Sequence, residues 1–152
     1  MDIAELVDRT LITDLLHAYC DRVDRSDIDG LMTLFADDIE IDMGRGATFT
    51  GHPALRALLV DRTGRWATTS HHSSTMSLLH YDGATATTTS YLYVLHDDPA
   101  RDEAMHLWGR YDDGMVKQDG TWRFRTRRLR VAGVSHAPST PLPDRFERRA
   151  LS

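Results

Sequence analysis

The chain has 152 residues, 41% hydrophobic and 27% charged, the size and balance of one soluble globular domain. A chain of this length buries about 70% of the surface its unfolded form exposes, enough for a core with an internal pocket. Cys20 is the only cysteine and the net charge is −5, which excludes an intrachain disulfide scaffold or cysteine-rich zinc site and opposes nonspecific attraction to nucleic acid.

The first fifteen residues carry Asp2, Glu5, Asp8 and Asp14 among their apolar positions, where a secretory signal needs a basic start and an unbroken apolar stretch. No apolar run approaches the ~20 residues of a membrane span. A cytoplasmic protein without membrane contact is expected. From Ala4 to Val23, the apolar residues Leu6, Ile12, Leu15, Leu16, Tyr19 and Val23 recur at helical spacing and predict an amphipathic first helix. Ser26 or Asp27 can cap a second short helix carrying Leu31, Leu34 and Phe35. Ile39, Ile41 and Met43 then alternate with Glu40 and Asp42 as in a half-buried strand, and Gly44 and Gly46 supply the turn of an edge hairpin. Thr50-Gly51-His52-Pro53, followed by Leu55, Leu58 and Leu59, predicts a capped third helix with a proline in its first turn, ending at Gly64.

After Trp66 the texture becomes rich in Thr, Ser, Tyr and Val. Four long antiparallel strands are expected near 71–80, 84–95, 104–117 and 122–134, separated by Asp- and Gly-rich turns. Residues 1–135 are thus expected to form one domain and 136–152, broken by APSTPLPDR, an extended tail. Helices first and hairpin-linked strands afterwards make an α+β arrangement, with helices covering one face of a sheet.

The ordered set Tyr19-Cys-Asp-Arg-Val-Asp24, Leu34-Phe35-Ala-Asp37-Asp38, Thr69-Ser-His71-His72, Gly109-Arg-Tyr111 and Asp119-Gly-Thr-Trp122 resembles the SnoaL-like polyketide cyclase and scytalone dehydratase-like branch of the nuclear-transport-factor-2-like superfamily. The resemblance spans about positions 5 to 135. It implies a cone-shaped fold in which three helices pack on a strongly curved, mainly antiparallel sheet around a deep apolar pocket, commonly in dimers or trimers. By the same resemblance, Asp24 and His71 fall where dehydratase and dehydrochlorinase relatives carry an acid that orients a histidine. A buried carboxylate accepting the imidazole N–H fixes the tautomer and raises basicity, leaving the other nitrogen free to remove a proton. His72 is expected on the opposite face of the strand.

Tyr19 corresponds to a tyrosine of bile-acid dehydratase-like relatives, where a phenol can hold a substrate oxygen. Leu107, Gly109, Tyr111 and Asp113 share one strand face by alternation. The resemblance turns that face to the cavity, with Tyr111 as the better polar candidate and Asp113 nearer a solvated rim. Ser90 aligns with the second histidine of scytalone dehydratase, a departure that removes a ready general acid. Arg128 or Arg110 is then the expected cation for a departing anion. Alternation sets Arg123, Arg125 and Arg127 on one face and Arg128 and Arg130 on the other. No histidine spacing predicts a metal site, and no phosphate loop or nucleotide fingerprint appears, so cofactor-independent chemistry is expected.

The reading that follows is a cofactor-free lyase or isomerase, with dehydratase, cyclase and dehydrohalogenase chemistries all open. It would act on a small hydrophobic cyclic molecule and associate with its own copies. Its alternatives are a noncatalytic module that binds a hydrophobic ligand or assembles with partners, and the small subunit of an aromatic-ring dioxygenase.

Overall fold

The computed structural model describes residues 1–44, 46–140 and 148–151. Helix α1 (Ile3–Asp24) begins at Asp2, whose side chain accepts the Glu5 N–H at 2.8 Å, so an orphan donor of the first turn is satisfied. Ile12, Leu15, Leu16, Tyr19 and Val23 form its buried stripe. Leu6 departs from the expected pattern, being 53% exposed, while Asp8 is buried. Helix α2 (Ile28–Met32) is capped by the Asp27 side chain and ends before Phe35. Phe35 instead opens strand β1 (Phe35–Asp42). Helix α3 (Gly51–Gly64) follows the short strand β2 (Thr48–Thr50), with Leu55, Leu58 and Leu59 on its buried face. Thr50 holds the cap position without a side-chain cap bond.

The long strands are β3 (Thr68–Tyr81), β4 (Thr85–Asp98), β5 (Glu103–Gln118) and β6 (Thr121–Ala137). They form one six-stranded sheet in the order β2-β1-β6-β5-β4-β3. The β1–β2 hairpin lies at one edge, as its turn residues predict, but β1 also runs parallel to β6. That single parallel pair makes an otherwise antiparallel sheet mixed. The helices cover the inner face, α1 against β3 and α3 against β1. This is an α+β fold.

The sheet is irregular at several points: β3 shifts register twice against β4, and β6 carries an extra residue at two points of its pairing with β5. At each of the latter two points β5 supplies a glycine. A Cβ on Gly109 would lie 2.4 Å from the Arg130 carbonyl oxygen, and one on Gly114 would lie 2.5 Å from the Thr126 hydroxyl. Bulges opposed by glycines let a strand pair coil sharply, which wraps the sheet around what its inner face holds.

Asp8 anchors the first half of α1 to the far end of this sheet. Its carboxylate accepts Tyr81 Oη at 2.7 Å, Lys117 Nζ at 2.8 Å and Trp122 Nε1 at 2.9 Å. Burial alone would push its pKa up, but these donors hold it below the usual carboxylate value, a satisfied buried charge rather than a stranded one.

Strand β6 continues to Ala137, two residues beyond the boundary expected at 135. Of the expected tail, residues 141–147 and Ser152 lie outside the described residues. Residues 148–151 pack against the ends of α1 and α3 of the same chain. Among the described residues, no helix is long and apolar enough to cross a membrane.

Candidate active site

The concave face of the sheet and helices α1 and α3 enclose a cavity of about 110 Å³. Its walls are mainly apolar, with Val23, Leu58, Leu92, Val94, Leu107 and Leu129 prominent. Six ionisable side chains also line it: Tyr19, Arg62, His71, His96, Tyr111 and Arg127. An apolar enclosure with a few convergent polar groups is the usual construction of a small-molecule site.

Asp24 is the last residue of α1, and His71 is the fourth residue of β3. Asp24 Oδ1 lies 2.7 Å from His71 Nδ1 and accepts the Thr69 hydroxyl at 3.0 Å, while Oδ2 accepts the His71 backbone N–H at 2.8 Å. Three donors from one strand therefore fix the carboxylate. The 2.7 Å contact assigns the imidazole proton to Nδ1. Nε2 is left as the nitrogen available to a molecule in the cavity. The His71 side chain is 8% exposed and that of Asp24 13% exposed, so the pair is shielded from bulk water. His72 turns to the outer face, beside Tyr93 and the Ser70 hydroxyl.

Tyr19 and Tyr111 meet edge to face with centroids 5.9 Å apart, and Tyr19 stands edge-on to His71 at 6.3 Å. Burial pushes the Tyr111 phenol well above its ordinary pKa, and adjacent Tyr19 adds in the same direction. Tyr111 is thus a neutral hydrogen-bond donor throughout the physiological range.

The buried cation at the cavity wall is Arg127, where the sequence reading expects Arg128 or Arg110; Arg62 also lines the cavity but is exposed. Arg128 pairs with Asp42 at 3.0 Å and Arg110 faces Asp112 at 3.6 Å, both half exposed on the outer side. The cause is the bulge at Arg125. Gly114 pairs with Thr126 and Met115 with Phe124, so one extra residue reverses the alternation. Arg127 is carried inward with Phe124, instead of outward with Arg123 and Arg125. Its guanidinium lies 4.0–4.1 Å from the ring centroids of Phe124, Tyr19 and Tyr111. Asp113 accepts Nε at 2.8 Å and Nη2 at 2.9 Å. Asp113 is therefore not the solvated rim carboxylate of the sequence reading but a buried partner. Burial pushes its carboxyl up and Arg127 pulls it back. The Arg127 Nη1 group is buried without a hydrogen-bond partner among the described residues.

A second correction concerns Ser90. It is buried and shares the inner face of β4 with Leu92 and Val94, but it does not line the cavity. The residue that does is His96, two positions beyond Val94 on the same face. Its ring centroid is 5.5 Å from that of His71 and 5.3 Å from Trp66. The sequence reading ends this strand at 95 and so misses His96, although extending the alternation 90, 92, 94 reaches it. A second histidine does stand beside the first.

Burial pushes the His96 pKa down to about 3, reinforced by nearby His71, Arg148 and Arg62. His96 is then neutral at pH 7. An NMR pH titration is expected to show His96 holding its neutral-form chemical shift from pH 8 to pH 5; a midpoint near the ordinary ~6.5 would contradict this environment. The linkage has a definite sign. Between about 3 and the unfolded value the unfolded chain binds the extra proton, so His96 lowers stability progressively as pH falls through that window. Among the described residues, no three His, Cys, Asp or Glu side chains are grouped as a metal site requires.

Residues 4–128 match the model of the SnoaL-like domain. No curated protein sequence matches the chain. A provisionally named scytalone dehydratase from Novosphingobium aromaticivorans is 25% identical, with a TM-score of 0.81 over 96% of this chain and 100% of that one. A hexachlorocyclohexane dehydrochlorinase from Novosphingobium barchaimii is 18% identical, with a TM-score of 0.80 over 96% and 98% of the two chains. A protein of unknown function with a cystatin-like fold from Nostoc punctiforme is 22% identical, with a TM-score of 0.68 over 82% and 91%. The family match covers most of the chain and agrees with the helix-on-curved-sheet architecture: the protein belongs to the SnoaL-like domain family of the nuclear-transport-factor-2-like superfamily.

Proposed function

We propose that the protein is a cofactor-independent lyase or isomerase that removes a proton from a small, neutral, hydrophobic cyclic molecule. The observation that carries this reading is the 2.7 Å contact of Asp24 with His71 Nδ1 at the wall of an apolar cavity. The SnoaL-like family and a structural relative named as a dehydratase support the same reaction class.

In an elimination, His71 Nε2 takes the proton from a carbon beside an activating group. The C–H electron pair becomes the new double bond, and the leaving group departs with its own bonding pair. Asp24 stabilises the imidazolium that forms. Tyr19, Tyr111 and neutral His96 are placed to donate hydrogen bonds to developing oxygen charge. Arg127, whose Nη1 has no hydrogen-bond partner among the described residues, is the candidate donor to a departing anion, the role the sequence reading gave to Arg128 or Arg110. The buried ionic groups of the site are mutually compensated, Arg127 by Asp113 and Asp24 by His71 when protonated, and the remaining lining cation, Arg62, is exposed to solvent, which favours a neutral substrate over an ion. Isomerisation and aldol cyclisation use the same base and donors. The test is turnover of a panel of neutral cyclic substrates with a carbonyl-activated C–H and a β-leaving group. Equal turnover by wild type and a folded His71→Ala variant would reject the reading.

Association into dimers or trimers belongs to the same proposal. The outer sheet face exposes Tyr91, Trp108 and Val131, an apolar surface of the kind that partners cover. Analytical ultracentrifugation at micromolar concentration is expected to give a mass at least twice that of the chain, and a monomer mass would contradict it.

A further inference from the structure

The Asp24–His71 contact depends on two segments far apart in the chain, the end of α1 and the start of β3. Residues that hold these segments to each other control the geometry without touching the cavity. Helix C-termini leave carbonyl oxygens unsatisfied and carry a partial negative charge, so an arginine fork is a fitting partner for them. Arg148 makes this connection. Its Nε donates to the Asp24 carbonyl at 3.2 Å, Nη2 to the Thr63 carbonyl at 3.0 Å and Nη1 to the Trp66 carbonyl at 2.5 Å. All three guanidinium nitrogens are used, each on a different residue.

Those carbonyls bracket the site. Asp24 ends α1, Thr63 lies in the last turn of α3, and Trp66 lies two residues before the start of the strand that carries Thr69 and His71. The neighbouring residue extends the contact: the Arg149 N–H donates to the Arg25 carbonyl at 2.8 Å, and its guanidinium reaches Asp27 at 2.5 Å. We propose that Arg148 is a positioning residue, which ties the ends of α1 and α3 to the entry of β3 and thereby holds the Asp24 carboxylate in register with His71 Nδ1.

A planar fork is needed because three carbonyls must be met at once; a lysine ammonium keeps the charge but cannot reproduce the fixed directions. Small displacements matter here, since a general base misplaced by about 1 Å loses much of its effect. The Arg148 charge also reaches His96, where it adds to the forces that keep that imidazole neutral.

This inference rests on the proposed role of the Asp24–His71 pair, but its test needs no substrate. Exchange of the His71 Nδ1 proton with water is measured by NMR in wild type, Arg148→Gln, Arg148→Lys and Arg149→Gln, together with the urea midpoint of each. Exchange is expected to be roughly tenfold faster in Arg148→Gln, intermediate in Arg148→Lys, near wild type in Arg149→Gln, and partly restored in Arg148→Gln by added guanidinium at low concentration. A lowered midpoint with unchanged exchange would make Arg148 a structural tie only and overturn the proposal. Should Arg148→Gln not fold, wild-type exchange in Arg148→Lys overturns it and faster exchange upholds it. Loss of the catalytic reading through unchanged turnover in His71→Ala would leave these exchange rates as they are.

Discussion

Replacing His71 by Ala is expected to lower kcat by about 10²–10⁴-fold, the usual contribution of a positioned general base. The same result is expected, at the lower end of the range, for Asp24→Asn. His71 sits at the cavity wall, whereas Asp24 acts through it by fixing the tautomer and by stabilising the charge that proton abstraction creates. Asparagine can still accept one bond, but it removes the counter-charge and can present an N–H to Nδ1, which turns the imidazole to the wrong tautomer. Because the Asp24 carboxylate also accepts the His71 backbone N–H and the Thr69 hydroxyl, the variant needs a circular-dichroism check of its fold. His72→Ala supplies the control, since that ring lies on the outer face. Steady-state kinetics on the first substrate found in the panel decides the matter. Equal losses in kcat and kcat/KM mark an interaction made in the transition state.

The second large effect is expected at the buried pair. Asp113→Ala should destabilise the fold by about 3–5 kcal/mol, because it strands a guanidinium that is otherwise held by two bonds inside the protein. Arg127→Met should cost a comparable amount by stranding the carboxylate, and it also empties the space between Tyr19, Tyr111 and Phe124. Replacing both members, with Asp113→Leu and Arg127→Met together, is expected to recover most of the stability, since desolvation of two charges is removed along with their attraction. Turnover should stay low in that double variant. A pair kept only for stability would instead give a double variant as active as wild type, and urea denaturation with kinetics on the same four proteins separates the two outcomes.

The helices and long strands were legible because periodicity reports burial directly. Ile12, Leu15, Leu16 and Tyr19 recur as a helix face must, and Leu92 and Val94 alternate as a strand face must. Asp24 and His71 could be picked out only through the order of motifs along the chain, since nothing local to either residue says that they meet. Arg127 was misread for a physical reason: alternation assumes an unbroken pleat, and the bulge at Arg125 inverts the phase of the residues that follow it, up to the second bulge near Ala132. No local signal in the basic run marks the bulge, although Gly114 on the facing strand is its structural counterpart. His96 was missed through a boundary error rather than a pattern error, as β4 continues three residues past the expected end. Asp8 and Asp113 defeat hydropathy outright. Each is a buried carboxylate whose partners lie on other elements of the fold, and hydropathy scales register the charge without registering the donors that satisfy it.

Nitrogen-15 NMR of the histidine rings, recorded with and without cyclohexanone as a small neutral ligand, tests the central claim most directly. A base held by Asp24 requires His71 with a protonated Nδ1 and an unprotonated Nε2, and the ligand should perturb the His71 and His96 rings while His72 stays unchanged. Protonation at Nε2 in place of Nδ1, or perturbation confined to His72 and the outer sheet face, would contradict it.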